Sequence, residues 1–246
     1  AKKLGYHGYE AFKADFLKEV YYLDTHFKNI DPNFPFVKTD NIQKIASKVT
    51  LLAQETLSDT LALLEHDNLQ KALRIMQKAN QIHLAAISYS LLLGQIFKLD
   101  MLRIGKNVNI CNTNGEELFL PAVIKNNDCI IIISYSGEIH NLCSLARTLK
   151  GRSVPIIAIT SLGDNELKKY ADVVLHISTR EKLYSKIAGY SNENSIKLIL
   201  DILYSCYFNL MYDDNLARRI AISKQAEVGR ESTLEIMKED NTQSGT

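Results

Sequence analysis

The side chains best suited to chemistry stand in one short polar turn, Ser134-Tyr-Ser-Gly-Glu138, which follows the apolar run 129–133. Serine hydroxyls can rotate to donate to an oxygen atom, and a glycine lets the backbone approach a ligand closely. The amides that open a helix have no partner within it and carry partial positive charge. Because a helical pattern follows at once, the turn favours an anion, in particular a phosphate. The alternative is that Ser136 serves only as the N-cap of that helix.

A second hydroxyl-bearing turn, Ser88-Tyr-Ser90, follows the first apolar strand pattern, and Thr160 and Ser161 end a later one. Ligands of open parallel sheets bind beyond the carboxyl ends of the strands. We expect the two serine turns to share one phosphate, which requires their strands to be neighbours in the sheet. Thr160 is expected to line the rest of the ligand, although Ser and Thr are also common in such turns for local reasons.

Further candidates for the same edge lie between the last strand pattern and the long helical pattern after it. They are Glu181, Lys182 and Tyr184, for which simple solvation is the alternative. His140 could reach a bound anion, or be an exposed helical histidine. His83 lies in an apolar strand pattern and is expected to be a core residue with satisfied hydrogen bonds. The predicted ligand-binding set is Ser88, Ser90, Ser134, Tyr135, Ser136, Gly137, Thr160 and Glu181.

The elements that must position these turns alternate between strand and helix patterns. Strands are predicted at 82–87, 107–111, 129–134, 155–160 and 172–177. Helices are predicted between them at 90–103, 115–125, 137–150 and 164–170. Such alternation is typical of a doubly wound parallel sheet with helices on both faces. The expected fold class is therefore α/β, with a five-stranded parallel sheet and helical extensions at the N- and C-terminal ends.

The N-terminal extension reads as a short helix, a linker and a long helix. Apolar and aromatic side chains at helical spacing predict an amphipathic helix at 9–23, and prolines predict an irregular linker at 29–40. Asp40 with Gln43 resembles a capping box at the start of the long helix, which is expected to end near Glu65.

Helical patterns also lead into the sheet and follow it. Asp67 with Gln70 resembles the cap of a helix that precedes the first strand. The final third predicts a long apolar helix at 186–212 and a charged amphipathic helix at 214–238. These two helices could join copies of the chain or lie on their own domain.

The bulk composition excludes several classes of protein. The chain has 246 residues, with 29 basic and 28 acidic side chains and a formal net charge of +1, so no overall field attracts nucleic acid or membrane. The four cysteines form no Cys-x-x-Cys pair, which argues against a disulfide framework or zinc site. No apolar run approaches the roughly 18 residues of a membrane span, and no leader pattern begins the chain. We expect a cytoplasmic protein without a metal, a cofactor or membrane contact.

The serine turn and the strand after it resemble a known family. Ile132-Ile-Ser-Tyr-Ser-Gly-Glu138, followed by Ile156-Ile-Ala-Ile-Thr-Ser161, is similar to the strand, serine turn and second strand of the sugar isomerase, or SIS, domain. The resemblance implies a flavodoxin-like parallel sheet that binds a phosphorylated sugar.

Two departures from the SIS pattern bear on ligand binding. The family's first ligand turn usually reads Gly-x-Gly-x-Ser, whereas Ala86, Ser88 and Ser90 stand at those places here. A threonine often follows Ser-Gly-Glu in the family, and its hydroxyl helps to hold the phosphate. Here that residue is Ile139, which removes a donor and implies weaker or altered binding.

The front of the chain looks like the end of a helix-turn-helix domain of RpiR-type transcriptional regulators, on the residues Ala1-Lys-Lys-Leu-Gly-Tyr-His-Gly-Tyr-Glu-Ala-Phe-Lys13. The order of helix end, linker, long helix and SIS domain is also similar to those regulators. The resemblance implies a helix-turn-helix remnant at 1–28, a linker at 29–40, an SIS domain with its leading helices at 41–212, and a C-terminal helical extension and tail at 213–246.

These resemblances imply a transcriptional regulator of sugar metabolism whose SIS domain senses a phosphorylated sugar. Its partners would be that effector and DNA, the latter through a domain mostly absent from this chain, with a homodimer or homotetramer as the assembly. No catalytic residue is implied. One alternative is a phosphosugar isomerase or lyase, for which Glu138 and Glu181 are the available bases. Another is a decayed pocket whose helices only mediate assembly, as Ile139 and the missing glycines suggest.

Overall fold

The sheet of the computed structural model has five strands, all parallel, in the order β2-β1-β3-β4-β5. The structure describes residues 9–10, 12–13, 16–17, 30–111, 115–229 and 232–238. The strands are β1 (Ile82–Ala85), β2 (Val108–Ile110), β3 (Cys129–Ser134), β4 (Ile156–Thr160) and β5 (Val173–His176). The α/β fold class and the five parallel strands predicted from the sequence are therefore confirmed.

Seven α-helices surround the sheet within the described part of the chain. They are α1 (Ile42–Leu63), α2 (His66–Lys78), α3 (Ser88–Arg103), α4 (Leu120–Val123), α5 (His140–Gly151), α6 (Tyr190–Asn209) and α7 (Tyr212–Ala226). Short 3-10 segments lie at Glu116–Leu118, Leu167–Lys169 and Glu235–Met237.

The central strands β3 and β4 are buried along their whole length. A parallel sheet covered on both faces needs apolar side chains at every position rather than at alternate ones, and the isoleucine runs of these strands supply them. Side chains of α2, α3 and α6 pack on one face around Leu84, Ile131 and Ile157. Side chains of α4 and α5 pack on the other face around Ile132 and Ala158.

The caps of the first two helices differ from the sequence prediction. The N-cap of α1 is Asn41, whose Oδ1 accepts a hydrogen bond of 2.9 Å from the Lys44 amide. Asp40 instead accepts from the Val37 amide and pairs with Lys48 at 2.6 Å, so the predicted capping box at Asp40 is wrong. Helix α2 begins one residue before the predicted cap, so Asp67 lies inside its first turn.

Two predicted helices are largely replaced by 3-10 turns. The region predicted as a helix at 115–125 is a 3-10 turn followed by the four residues of α4, because Gly115 has a φ of +90° and Pro121 cannot supply an amide within a helix. The short helix predicted at 164–170 is only the 3-10 turn Leu167–Lys169.

The later helices are shorter than predicted. Helix α5 starts three residues later than the sequence pattern suggests, because Gly137 has a φ of +67° and Ile139 is extended. Helix α6 begins after Gly189, and α7 ends at Ala226, shortly before Gly229 with its φ of +83°.

The N-terminal extension is described only in part. Residues 9–10, 12–13 and 16–17 are helical, and the rest of the helix predicted at 9–23 lies outside the described residues, as does most of the segment 1–28. Residues 30–40 form the irregular connection that the prolines predict. Among the described residues, no helix combines the length and apolar character needed to cross a bilayer.

Candidate functional site

The two serine turns lie side by side at the carboxyl edge of the sheet. Strand β1 pairs with β3, with Ala85 opposite Ile132, and β3 pairs with β4, with Ser134 opposite Thr160. Strand β1 stands between β2 and β3, where the strand order reverses, and this is the place where open α/β sheets bind ligands. The strands that precede the two serine turns are therefore neighbours, as the shared-phosphate hypothesis requires.

The turn after β3, residues 134–139 (the β3 turn), is tightly hydrogen-bonded. Ser134 is 1% exposed, and its Oγ accepts a bond of 3.1 Å from the Gly137 amide. Ser136 is half-buried, and its Oγ accepts a bond of 3.2 Å from the Glu138 amide. Each hydroxyl keeps its own proton for donation to another acceptor. Ser134 stands below the surface, whereas Ser136 stands at it.

Gly137 is required by packing as well as by its backbone conformation. Its φ is +67°, and a Cβ at this position would lie 2.1 Å from Cγ of Asn165. The Asn165 side-chain amide is buried and donates to Oγ1 of Thr160 at 3.1 Å. Thr160 thus lies inside the fold, where it supports the turn through Asn165. Sequence reasoning missed Asn165, since nothing in its local pattern distinguishes it from a surface loop residue.

The carbonyl of Gly137 is also held from two sides. It accepts from the Leu167 amide at 3.0 Å and from Sγ of Cys143 at 3.2 Å. Burial, and after it the charge of Glu138, raises the pKa of the Cys143 thiol and keeps the thiol protonated as a donor. The Glu138 carboxylate accepts from the Glu166 amide at 2.8 Å. The β3 turn is therefore fixed to helix α5 and to the segment after β4.

The turn after β1, residues 86–90 (the β1 turn), is more exposed. Ser88 is the first residue of α3 and has a φ of +53°, a left-handed conformation that costs a non-glycine residue about 1 kcal/mol. Tyr89 is 59% exposed, and Ser90 is half-buried. Ser88 stands where the SIS pattern usually has its second glycine. The left-handed backbone conformation at this position explains why glycine is favoured there.

Tyr135 and Glu181 are brought together at this edge. The Tyr135 hydroxyl donates to the Glu181 carbonyl at 2.7 Å and accepts from the Glu181 amide at 3.0 Å. Burial raises the pKa of Tyr135 to about 12, so the hydroxyl proton is retained at neutral pH. Lys182 and Tyr184, the other two candidates on this segment, are exposed.

The Glu181 carboxylate is fully buried and caps helix α6. It accepts from the amides of Ser191 at 2.5 Å and Asn192 at 3.3 Å, and it pairs with Nζ of Lys186 at 2.8 Å. A carboxylate beside the first amides of a helix is stabilised by their partial positive charge. The side chain of Glu181 therefore supports the architecture of the edge.

The histidine candidates lie apart from the serines' hydrogen bonds. His140 begins α5 and is exposed. His83 is 5% exposed and lines a cavity of about 570 Å³ that none of the serine-turn residues lines. Burial lowers the pKa of His83, although Asp128 at 3.5 Å opposes the shift. The expectation of a core histidine is confirmed by this burial, and Nε2 faces the Asp128 carboxylate, whereas Nδ1 has no hydrogen-bond partner in the described part of the chain, so the ring is satisfied only in part.

A model of the SIS domain family matches residues 75–204. The chain belongs to the SIS domain family. The matched range runs from α2 to α6 and includes all five strands and both serine turns. The SIS resemblance of the serine turn is thus confirmed at the level of the family. In the described residues, no group of three or more histidine, cysteine or carboxylate side chains could hold a metal ion.

Individual relatives of this SIS-domain chain include both regulators and enzymes. An uncharacterised HTH-type transcriptional regulator from Clostridium perfringens is 22% identical over 220 residues, which is 89% of this chain and 77% of that one. The solved structure of the Vibrio vulnificus NanR protein, complexed with ManNAc-6P, is similar with a TM-score of 0.68 and 16% identity. The similarity covers 92% of this chain and 78% of NanR.

Two further solved structures are similar over a smaller share of this chain. The sugar isomerase domain of an RpiR transcription factor from Sphaerobacter thermophilus has a TM-score of 0.65 and 16% identity, and 74% of this chain and 99% of that one are covered. A putative sugar-phosphate isomerase from Listeria monocytogenes has a TM-score of 0.62 and 16% identity, with 70% and 93% covered.

Proposed function

We propose that this chain is the effector-binding part of an RpiR-type transcriptional regulator that responds to a phosphorylated sugar. The observation that carries the proposal is the adjacency of the two serine turns at the reversal point of the sheet. The regulator assignment is supported by similarity that extends beyond the SIS domain, to 89% of this chain for the clostridial regulator and 92% for NanR. The similarity to the putative sugar-phosphate isomerase from Listeria monocytogenes covers only 70% of this chain.

The phosphate site proposed here uses hydroxyls from both turns. Ser136 and Ser90 are half-buried and are the donors expected to contact the phosphate first, with Ser88 beside them. Ser134, which is buried, and Gly137 shape the β3 turn behind them. The first amides of α5 point out of that helix toward the same edge. Thr160 contributes through Asn165 and Tyr135 through Glu181, so these residues hold the site in place.

An effector role is favoured over catalysis because both available carboxylates are already engaged. A base for aldose-ketose isomerisation must reach a proton beside the sugar carbonyl. The Glu181 carboxylate instead receives two helix amides and Lys186, and Glu138 receives the Glu166 amide. We expect no turnover of pentose or hexose phosphates in a coupled assay. Turnover that is lost in Glu181→Gln, with binding retained, would support the isomerase alternative.

Regulation is tested by the affinity of the natural full-length protein for its operator DNA. A panel of phosphorylated sugars should contain at least one that changes this affinity by about 5- to 150-fold, the usual range of allosteric coupling. The unphosphorylated sugar should have no effect. An operator affinity that no phosphorylated sugar alters, although one binds the chain, would overturn the sensor role.

Self-association is also proposed, through the outward face of α3. Helices whose two faces are both apolar normally have both faces buried. Opposite the core residues Phe97 and Met101, α3 exposes a stripe of apolar side chains. They are Tyr89, Leu92, Ile96, Leu99 and Leu102. We expect a dimer or tetramer by light scattering, shifted toward monomer by Leu99→Lys. A monomeric natural protein would contradict this.

The proposed sensor is expected in the cytoplasm, because a bacterial regulator meets both sugar phosphates and the chromosome there. This placement follows from the regulator proposal. Detection of the natural protein in the cytoplasmic fraction of its host would support it, and exclusive recovery with membranes would contradict it.

A further inference from the structure

One peptide group connects the proposed phosphate site to the segment that leads toward the N-terminus. The carbonyl of Glu181 and the amide of Lys182 belong to the same planar peptide unit. The Tyr135 hydroxyl donates to that carbonyl at 2.7 Å, and the amide donates to Oδ1 of Asn33 at 2.7 Å. Tyr135 stands between the two serines of the β3 turn, and Asn33 stands in the connection before α1.

The rest of the segment 177–189 (the β5–α6 loop) holds the same connection. The Ile187 amide donates to the Asn33 carbonyl at 2.9 Å, and the Arg180 guanidinium donates to the Ile30 carbonyl at 3.2 Å. Asn33 is 6% exposed, and Asp31 accepts bonds of 2.8 Å and 2.9 Å from its amide and side chain. Hydrogen bonds therefore attach both Ile30 and Asn33 to this one loop.

The loop is anchored to α1 as well, by polar side chains that are buried. Arg180 pairs with Glu55 at 3.1 Å, and its side chain is fully buried. Ser178 donates to Asp59 at 2.5 Å. Both of these anchors precede the Glu181–Lys182 peptide, and the Ile187–Asn33 hydrogen bond follows it. With the loop held on both sides, that peptide cannot rotate without breaking its bond to Tyr135, its bond to Asn33, or both.

We propose that the Glu181–Lys182 peptide transmits occupancy of the serine turns to residues 30–37, with Tyr135 and Asn33 as the two positioning residues. The proposal rests on the proposed function. A phosphate bound by the serine turns limits the motion of Tyr135 between them, and this fixes the peptide and the Asn33 side chain in turn. Ligand binding then orders the connection to whatever precedes residue 30.

Hydrogen exchange of the chain, with and without a phosphorylated sugar that binds it, tests the coupling. In the natural sequence, exchange at residues 30–37 and at the Lys182 and Ile187 amides should slow by about fivefold or more on binding. Tyr135→Phe keeps the ring and removes only the hydroxyl, so it should lose this protection even at a sugar-phosphate concentration that saturates the variant. Tyr170→Phe is the matched control, since its hydroxyl bonds to Arg147 and Glu166 away from the loop.

Reciprocity supplies a second readout that does not depend on Tyr135. If the ligand favours the ordered connection, the ordered connection must favour the ligand by the same factor. A substitution that disorders the connection should therefore weaken ligand binding. Asn33→Ala should therefore lower the affinity for the sugar phosphate, whereas Phe34→Ala, at a half-exposed neighbour, should not. Calorimetry measures both.

The outcomes separate this coupling from the proposed function. Absence of binding by every phosphorylated sugar removes the proposed function and this coupling with it. Binding that leaves residues 30–37 unprotected, or protection that persists in Tyr135→Phe together with unchanged affinity in Asn33→Ala, overturns the coupling alone. Loss of protection in Tyr135→Phe, with the Tyr170→Phe control unaffected, supports it.

Discussion

The two serine turns occupy adjacent positions on one edge of the sheet, yet they differ in how the chain holds them. The β3 turn has a buried serine, a glycine packed against Asn165 and a carbonyl with two donors. The β1 turn is exposed and places Ser88 in a left-handed conformation. The β3 turn is therefore a preorganised half of the proposed site, whereas the β1 turn carries local strain.

The difference shows where a departure from the SIS pattern is tolerated. Replacing Gly137 is costly because its backbone conformation is left-handed and a Cβ there would collide with the Asn165 side chain. At Ser88 the family glycine can be replaced, since the side chain is exposed and only the backbone cost remains. The absence of a glycine at position 88 thus does not by itself indicate a decayed pocket.

The largest expected effect is that of Gly137→Ala, which tests how tightly the β3 turn is packed. Backbone strain and the contact with Asn165 together should lower the free energy of unfolding by about 2–5 kcal/mol. Gly115→Ala is the control, because its φ is +90° but a Cβ there would meet nothing within 4 Å. Denaturant unfolding measures both. Equal losses for the two variants would show that packing at Gly137 is unimportant.

The next effect separates the two serines of the β3 turn. Ser136→Ala should weaken sugar-phosphate binding by about 1.5–3 kcal/mol, through loss of a hydrogen bond to a charged group, with little change in stability. Ser134→Ala leaves the buried Gly137 amide without its acceptor, so it should also lower the free energy of unfolding by about 1–3 kcal/mol. Calorimetry and denaturant unfolding distinguish the two, and identical profiles would reject the division of roles.

A smaller effect, of opposite sign, is expected in the β1 turn. Ser88→Gly should raise the free energy of unfolding by about 0.5–1 kcal/mol, because glycine adopts the left-handed conformation without steric cost. Ser153→Gly provides the match, since Ser153 has a φ of +58° after α5, away from the site. Both variants should be stabilised, but only Ser88→Gly should alter ligand affinity. A destabilised Ser88→Gly would mean that the hydroxyl, not the backbone, matters for folding.

The smallest effect concerns pH. Serine hydroxyls and backbone amides do not titrate near neutrality, so the pH dependence of binding should follow the ligand's phosphate. Its second pKa is near 6, and protonation removes one negative charge, so affinity should fall about fourfold from pH 7.5 to 5.5 if only the dianion binds. A sugar sulfate, which does not titrate there, should show no such fall. Calorimetry at both pH values measures this, and affinity that rises on acidification would point to a titrating protein group.

The sequence contained enough to predict the sheet and the serine turns, because both depend on local patterns. Apolar runs of strand length that end in turn residues, such as 129–133, are typical of buried strands. The bounds of β3 agree with the prediction. The adjacency of the two turns also follows from the strand order common to such sheets.

The support of the site could not be predicted, because it consists of long-range polar contacts. Asn165 and Asn33 are asparagines in irregular segments, and only the folded chain shows that one packs on Gly137 and the other binds the β5–α6 loop. Two buried hydrogen-bonded pairs, Thr56–Ser191 and Thr60–Ser195, join α1 to α6. Helical periodicity in the sequence does not predict these pairs either.

The central claim is that the two serine turns together hold the phosphate of a sugar, and calorimetric titration of the chain with paired sugars tests it most directly. Each phosphorylated sugar is compared with its unphosphorylated counterpart, first on the natural sequence and then on Ser136→Ala and Ser90→Ala. At least one phosphorylated sugar should bind, its counterpart should not, and each substitution should weaken binding. Equal affinity for a sugar and its phosphate, or binding that neither substitution alters, would contradict the account.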